Sequence, residues 1–73
     1  MLNKSVKGFE IIIVSGYQLE FWHIADNERV ALLYIFFDGT SAFLETGHED
    51  LSRMRFSSID EAITAFEAAY STY

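Results

Sequence analysis

Short segments rich in apolar residues, separated by turn-type residues, fill most of positions 9–46, and apolar positions then recur at helical spacing near the C-terminus. The segment 9–14 is rich in Ile and Val and reads as a strand opened by Gly8. Ser15-Gly16 is a turn signal of the two-residue hairpin kind, and 17–25 is a second strand. Asp26-Asn27-Glu28 supplies the next turn, and 29–37 is a third, nearly all-apolar strand. Asp38-Gly39 is a strong hairpin signal, because both residue types accept positive φ; 40–46 is the fourth strand. After the turn at Gly47-His48-Glu49-Asp50, the segment 51–56 reads two ways. Met54 and Phe56 alternate with Arg53 and Arg55 as in an extended segment, but a helical turn fits too.

The last element is a helix. Ser58 is its cap, with Glu61 three residues on as the capping-box partner. Asp60 and Glu61 sit in the first turn, where the macrodipole favours negative charge. Ile59, Ala62, Ile63, Phe66, Ala69, Tyr70 and Tyr73 form one apolar stripe that needs a surface to lie on. The junction 56–62 is similar to the strand-to-helix junctions of many small α+β domains. The expected fold is α+β: an antiparallel four-stranded meander with one C-terminal amphipathic helix packed on one face. Residues 1–73 make a single domain, with 1–7 expected to be a loose N-terminal arm.

Alternation also sorts the strand residues by face. Two-residue turns at 15–16 and 38–39, with a three-residue loop at 26–28, place Ile12, Val14, Leu19, Phe21, Leu33, Ile35, Ala42 and Leu44 under the helix. Phe9, Ile11, Ile13, Gln18, Glu20, Trp22, Ile24, Leu32, Tyr34, Phe36, Phe43 and Glu45 then form the other face. A solvated sheet face should be mostly polar, and this one is not. One helix covers one face. The second face has three resolutions: closure of the sheet into a small barrel, pairing with a second copy, or binding to another protein.

Composition narrows the functional classes. Eleven acids against five basic residues give a net charge of −6. Scattered Lys and Arg do not make a phosphate-neutralising groove, so direct nucleic-acid binding is not expected. The acids are not dense enough for a regular DNA-like array; partial mimicry by Glu10, Glu20, Asp26, Glu28, Asp38 and Glu45 along strands and turns is the weaker alternative to ordinary solvation. The chain has no Cys, which removes disulfides and thiolate metal sites and fits a cytoplasmic location. The apolar runs 11–14 and 30–37 are far shorter than the roughly 20 residues of a membrane helix, and the first residues lack the apolar run of a signal peptide.

Candidate chemistry is thin. His48, Glu49 and Asp50 are ligand-type residues, but three in a row cannot all face one ion without a tight loop. No nucleophile elbow or glycine-rich phosphate loop is present. No cofactor or metal is therefore expected, and the chain reads as non-enzymatic; an enzyme using His48, Glu49 and Asp50 is the minority alternative. Trp22, Tyr34, Phe36 and Phe43 are instead the expected anchors of a protein interface, with Glu20 and Glu45 beside them to steer a basic partner. Core packing is the competing fate of such rings.

The expected function is that of a small acidic protein-binding module. Its sharpest form is an inhibitor that blocks a larger basic protein, with a homodimer as the compatible alternative. In composition alone the chain is similar to phage-borne or mobile-element inhibitors of host defence nucleases, to immunity proteins and to antitoxins.

Overall fold

The computed structural model describes residues 5–71. Four antiparallel strands, β1 (Phe9–Ser15), β2 (Gln18–His23), β3 (Glu28–Ile35) and β4 (Ser41–Thr46), form one open sheet in the order β1-β2-β3-β4. A single-turn helix, α1 (Glu49–Ser52), follows β4, and α2 (Ile59–Ala69) packs across one face of the sheet. The α+β meander expected from the sequence is the fold. The sheet does not close, so barrel formation does not dispose of the second face.

The core is aromatic and lies between α2 and the sheet. Phe66 is its hub, with ring centroids 5.1 Å from Phe9, 4.3 Å from Phe21, 6.1 Å from Phe43 and 4.3 Å from Tyr70. Leu19, Ala31, Leu33, Leu51, Phe56, Ala62 and Ile63 complete it. Full burial of each large apolar side chain contributes about 1.5–3 kcal/mol. Aromatic rings therefore provide much of the hydrophobic drive of a domain this small.

β1 and the first part of β4 show the opposite face from the one expected. Leu19, Phe21 and Leu33 do lie under the helix, but so do Phe9 and Phe43, and with Phe9 also Ile11 and Ile13, all expected on the open side. Ile12, Val14, Ala42 and Leu44 lie on the open side instead. Each reversal is a one-residue shift, which exchanges the faces of a strand: a bulge at Val14 makes it in β1 and a third loop residue makes it in β4, where a second shift between Leu32 and Leu33 returns Glu45 to the open face. The β1–β2 loop is Gly16-Tyr17, not Ser15-Gly16: Ser15 pairs with Gln18, Ile13 with Leu19, and Val14 is a bulge between them. The β3–β4 loop has three residues, 37–39. Phe36 N–H donates to Thr40 O at 2.7 Å and Gly39 N–H donates to Phe36 O at 3.0 Å, with Gly39 at φ +91°. Leu33 therefore pairs with Phe43. Burial explains the outcome: this register puts the large Phe43 ring in the core and leaves the small Ala42 outside. β2 and β3 keep their expected faces because their register, Leu19 with Leu33, differs from the expected one by an even number of residues.

Ser58 caps α2 as expected, its Oγ accepting from Glu61 N–H at 3.2 Å. The Glu61 carboxylate reaches one residue further back than a capping box requires. It accepts from the backbone N–H and hydroxyl of Ser57, at 3.1 and 3.0 Å. Residues 51–56 divide between the two readings: Leu51 and Ser52 are in α1, while Phe56 returns to extended backbone and bridges Ser41. The loose arm expected at 1–7 needs correction at its end. Val6 is buried and its carbonyl accepts from Phe9 N–H at 3.0 Å. Residues 1–4, and Tyr73 of the expected helix stripe, lie outside the described residues.

Candidate functional site

The face of the sheet that no element among the described residues covers divides into a charged half and an apolar half. In the charged half, the cross-strand pairs Glu10–Trp22 and Trp22–Arg29 lie beside Glu20–Leu32 and Leu32–Glu45. Arg29 bridges two acids, with Nη1 to Glu20 Oε2 at 3.1 Å and Nη2 to Glu45 Oε1 at 2.7 Å. The indole N–H of Trp22 donates to Glu20 Oε1 at 3.0 Å. That hydrogen bond, with help from Arg29, holds the Glu20 carboxyl below the usual carboxylate range, against a smaller opposing effect of burial. Glu20, Glu45 and Trp22 thus come together as expected, joined by Arg29, which the sequence reading left out.

In the apolar half, three rings form a ladder. Tyr17 and Tyr34 have centroids 5.7 Å apart and Tyr34 and Phe36 have centroids 5.1 Å apart, both edge to face. The Arg55 guanidinium lies 4.1 Å from the centroid of Phe36. It also donates through Nε to Thr40 Oγ1 at 3.0 Å and pairs with Asp38 at 3.7 Å. Asp38 accepts from the hydroxyl and the N–H of Thr40, and these bonds, ahead of Arg55, lower its pKa. Ile12, Val14, Tyr17 and Leu44 are exposed, while Leu32, Tyr34, Phe36 and Ala42 are half-buried.

Of the six expected contact residues, five are on this face. Phe43 is not. It is 3% exposed on the helix side, where it packs on Phe21, Phe56 and Phe66, so it cannot anchor a partner on the open side. The sequence reading missed Phe37, which is fully exposed at the tip of the β3–β4 hairpin. An apolar aromatic residue where a turn calls for a polar one was the available signal. Tyr17 was missed for a related reason: it lies in the loop, yet its carbonyl accepts from Ile35 N–H at 2.8 Å and its ring joins the ladder.

The His48-Glu49-Asp50 segment does not converge on a point. The His48 ring packs on Tyr70 at 4.3 Å, and Glu49 pairs with Arg53 at 3.3 Å. Among the described residues no group of three His, Asp or Glu side chains is placed to share a metal ion. No helix among them is long and apolar enough to cross a membrane. Comparison with protein families, characterised proteins and solved structures finds no significant match to this chain.

Proposed function

We propose that the chain is a non-enzymatic binding module that docks the open face of its sheet onto a larger basic protein and blocks that protein's site. The observation that carries this reading is the Tyr17–Tyr34–Phe36 ladder, on a face that no other element among the described residues covers. Aromatic side chains give large contact areas with little rotamer entropy to lose, and they dominate interface hot spots. Exposed Ile12, Val14 and Leu44 extend the apolar area around them.

Charge favours a basic partner over a second copy stacked face to face. The net charge is −6, and Arg29, Arg53 and Arg55 are each paired to acids of the chain itself. Glu10 and the Glu20–Arg29–Glu45 group leave the polar half of the face with net negative charge. Face-to-face stacking of two copies would bring these acidic regions together, whereas a basic rim would be attracted to them. Compositional likeness to phage-borne inhibitors, immunity proteins and antitoxins supports the inhibitor form of the reading, and the absence of Cys supports a cytoplasmic setting.

The test is to isolate the partner with tagged protein, identify it by mass spectrometry and measure the affinity of the purified pair. The Trp22→Ala/Tyr34→Ala double variant, folded by circular dichroism, is expected to bind at least a hundredfold more weakly. Wild-type affinity in the double variant would reject the reading.

A further inference from the structure

The two edges of the sheet are treated differently. At the β4 edge the backbone of Ser41 is already paired: its N–H donates to Phe56 O at 2.9 Å and its O accepts from Phe56 N–H at 2.8 Å. The single turn α1 packs beside the same strand. At the β1 edge the described residues cover only the first position, where Phe9 N–H donates back to Val6 O. The run Ile11-Ile12-Ile13-Val14 follows with no neighbouring strand on its outer side among the described residues, and Glu10 is the one charged residue of the strand. Natural edge strands usually carry Lys, Pro or inward-pointing charges that discourage pairing.

The hydrogen-bond phase of β1 is fixed. Ile24 N–H donates to Gly8 O at 3.1 Å, and residues directly opposite in an antiparallel pair alternate between bonded and non-bonded. Glu10 and Ile12 therefore bond inward to Trp22 and Glu20, and Ile11 and Ile13 turn their N–H and C=O groups to the open edge. The bulge at Val14 ends this regular run.

We infer that β1 pairs antiparallel with β1 of a second copy, about a two-fold axis at Ile12, to make one continuous eight-stranded sheet. In this register Ile11 and Ile13 exchange backbone hydrogen bonds with Ile13 and Ile11 of the other copy. Registers centred nearer the start of the strand would bring Phe9 into the pairing, where the Val6 turn already occupies the edge. Glu10 falls opposite Val14 of the other copy, so no like charges face each other, unlike in face-to-face stacking. Ile13, 59% exposed at the margin of a groove it shares with Leu19, Ile35 and Ile59, gains the other copy's Ile11 as a neighbour. The two open faces become one platform of double width. The inference is independent of the docking reading, which Trp22 and Tyr34 test.

Sedimentation equilibrium of the wild-type protein is expected to give a dimer in the micromolar range. Ile12→Lys places two ammonium groups across the axis on the solvent side of the sheet and is expected to give a monomer with an unchanged circular dichroism spectrum. Ile12→Cys supplies the chain's single thiol at a non-bonded pair, where Cα atoms lie about 4.5 Å apart and a disulfide can form. Mild oxidation should cross-link it to a dimer much faster than a Leu44→Cys control on the far strand. A wild-type monomer at high micromolar concentration, a dimer undisturbed in Ile12→Lys, or equal cross-linking of the two cysteine variants would each overturn the inference.

Discussion

The indole N–H of Trp22 donates to the carboxylate of Glu20, two residues earlier on the same strand and the same face of the sheet, at 3.0 Å. The bond explains why a Trp is only half-buried on a face without a helix: its polar edge is held by a carboxylate that Arg29 also grips.

The Trp22–Glu20 bond gives a pH prediction. The folded-state pKa of Glu20 is depressed, chiefly by Trp22. Its contribution to stability is therefore fully present above the ordinary glutamate pKa of about 4.3, and it is lost as pH falls through the lower folded value. Trp22 is the only Trp, so its fluorescence reports the event directly. A fluorescence titration should show a step below the ordinary carboxylate range. Glu20→Gln should remove that step while leaving the fold intact; a step of the same midpoint in the variant would assign it to another group.

A second prediction concerns the end of α2. The Tyr70 hydroxyl donates to Val30 O at 3.2 Å, shares a hydrogen bond with Thr46 Oγ1 at 2.9 Å and accepts from Gly47 N–H at 3.3 Å. It ties the helix to β3 and to the end of β4. Tyr70→Phe keeps the ring in the core but leaves part-buried polar groups without that partner. The expected cost is about 1–3 kcal/mol, read as a lower urea midpoint at unchanged slope. An unchanged midpoint would mean that water replaces the hydroxyl at no cost.

Much of this architecture was legible in the chain because it rests on local chemistry. Ser58 and Asp60 announce the start of α2, Asp38-Gly39 a hairpin, and the period of Ile59, Ala62, Ile63 and Phe66 the buried helix face. The sidedness of β1 and β4 was not legible. It depends on whether a loop holds two residues or three, on a bulge at Val14 and on a second one opposite Leu32 and Leu33, and these are settled by which register buries Phe43 and Phe9. That is a tertiary preference with no local signature. The same swap removed Phe43 from the candidate site, while Phe37 entered it only once the turn was seen to hold that ring out in solvent.

The three-residue turn can be tested through Gly39. Its φ of +91° is one that a side chain disfavours, and a Cβ there would meet no other atom within 4 Å. Strain, not crowding, is the cost. Gly39→Ala should destabilise the fold by about 1–2 kcal/mol. Gly39→Asn should cost less, since Asn tolerates left-handed backbone better. Thermal melts of the two variants decide it: an Ala variant as stable as the wild type would show that the turn relaxes to the two-residue form.

The clearest separation of fold from function sets Phe43 against Tyr34, two aromatic residues on neighbouring strands and opposite faces. Phe43 is enclosed by Phe21, Phe56 and Phe66, whereas Tyr34 lies on the open face between Tyr17 and Phe36. Phe43→Ala opens a cavity in the core and should cost about 3–5 kcal/mol. That is a large share of the 5–15 kcal/mol typical of whole domains, so the variant should be substantially unfolded near body temperature. Tyr34→Ala removes a half-buried ring from the sheet surface and should cost about 1 kcal/mol or less. Partner affinity should run the other way. Tyr34→Ala should weaken binding by about 2 kcal/mol or more if the ladder is a hot spot. The volume-sparing Phe43→Leu, once folded, should bind as the wild type does. Denaturant melts beside calorimetric titrations of the three variants make the comparison. A Tyr34→Ala protein that binds normally but melts as early as Phe43→Ala would return the ladder to a purely structural role.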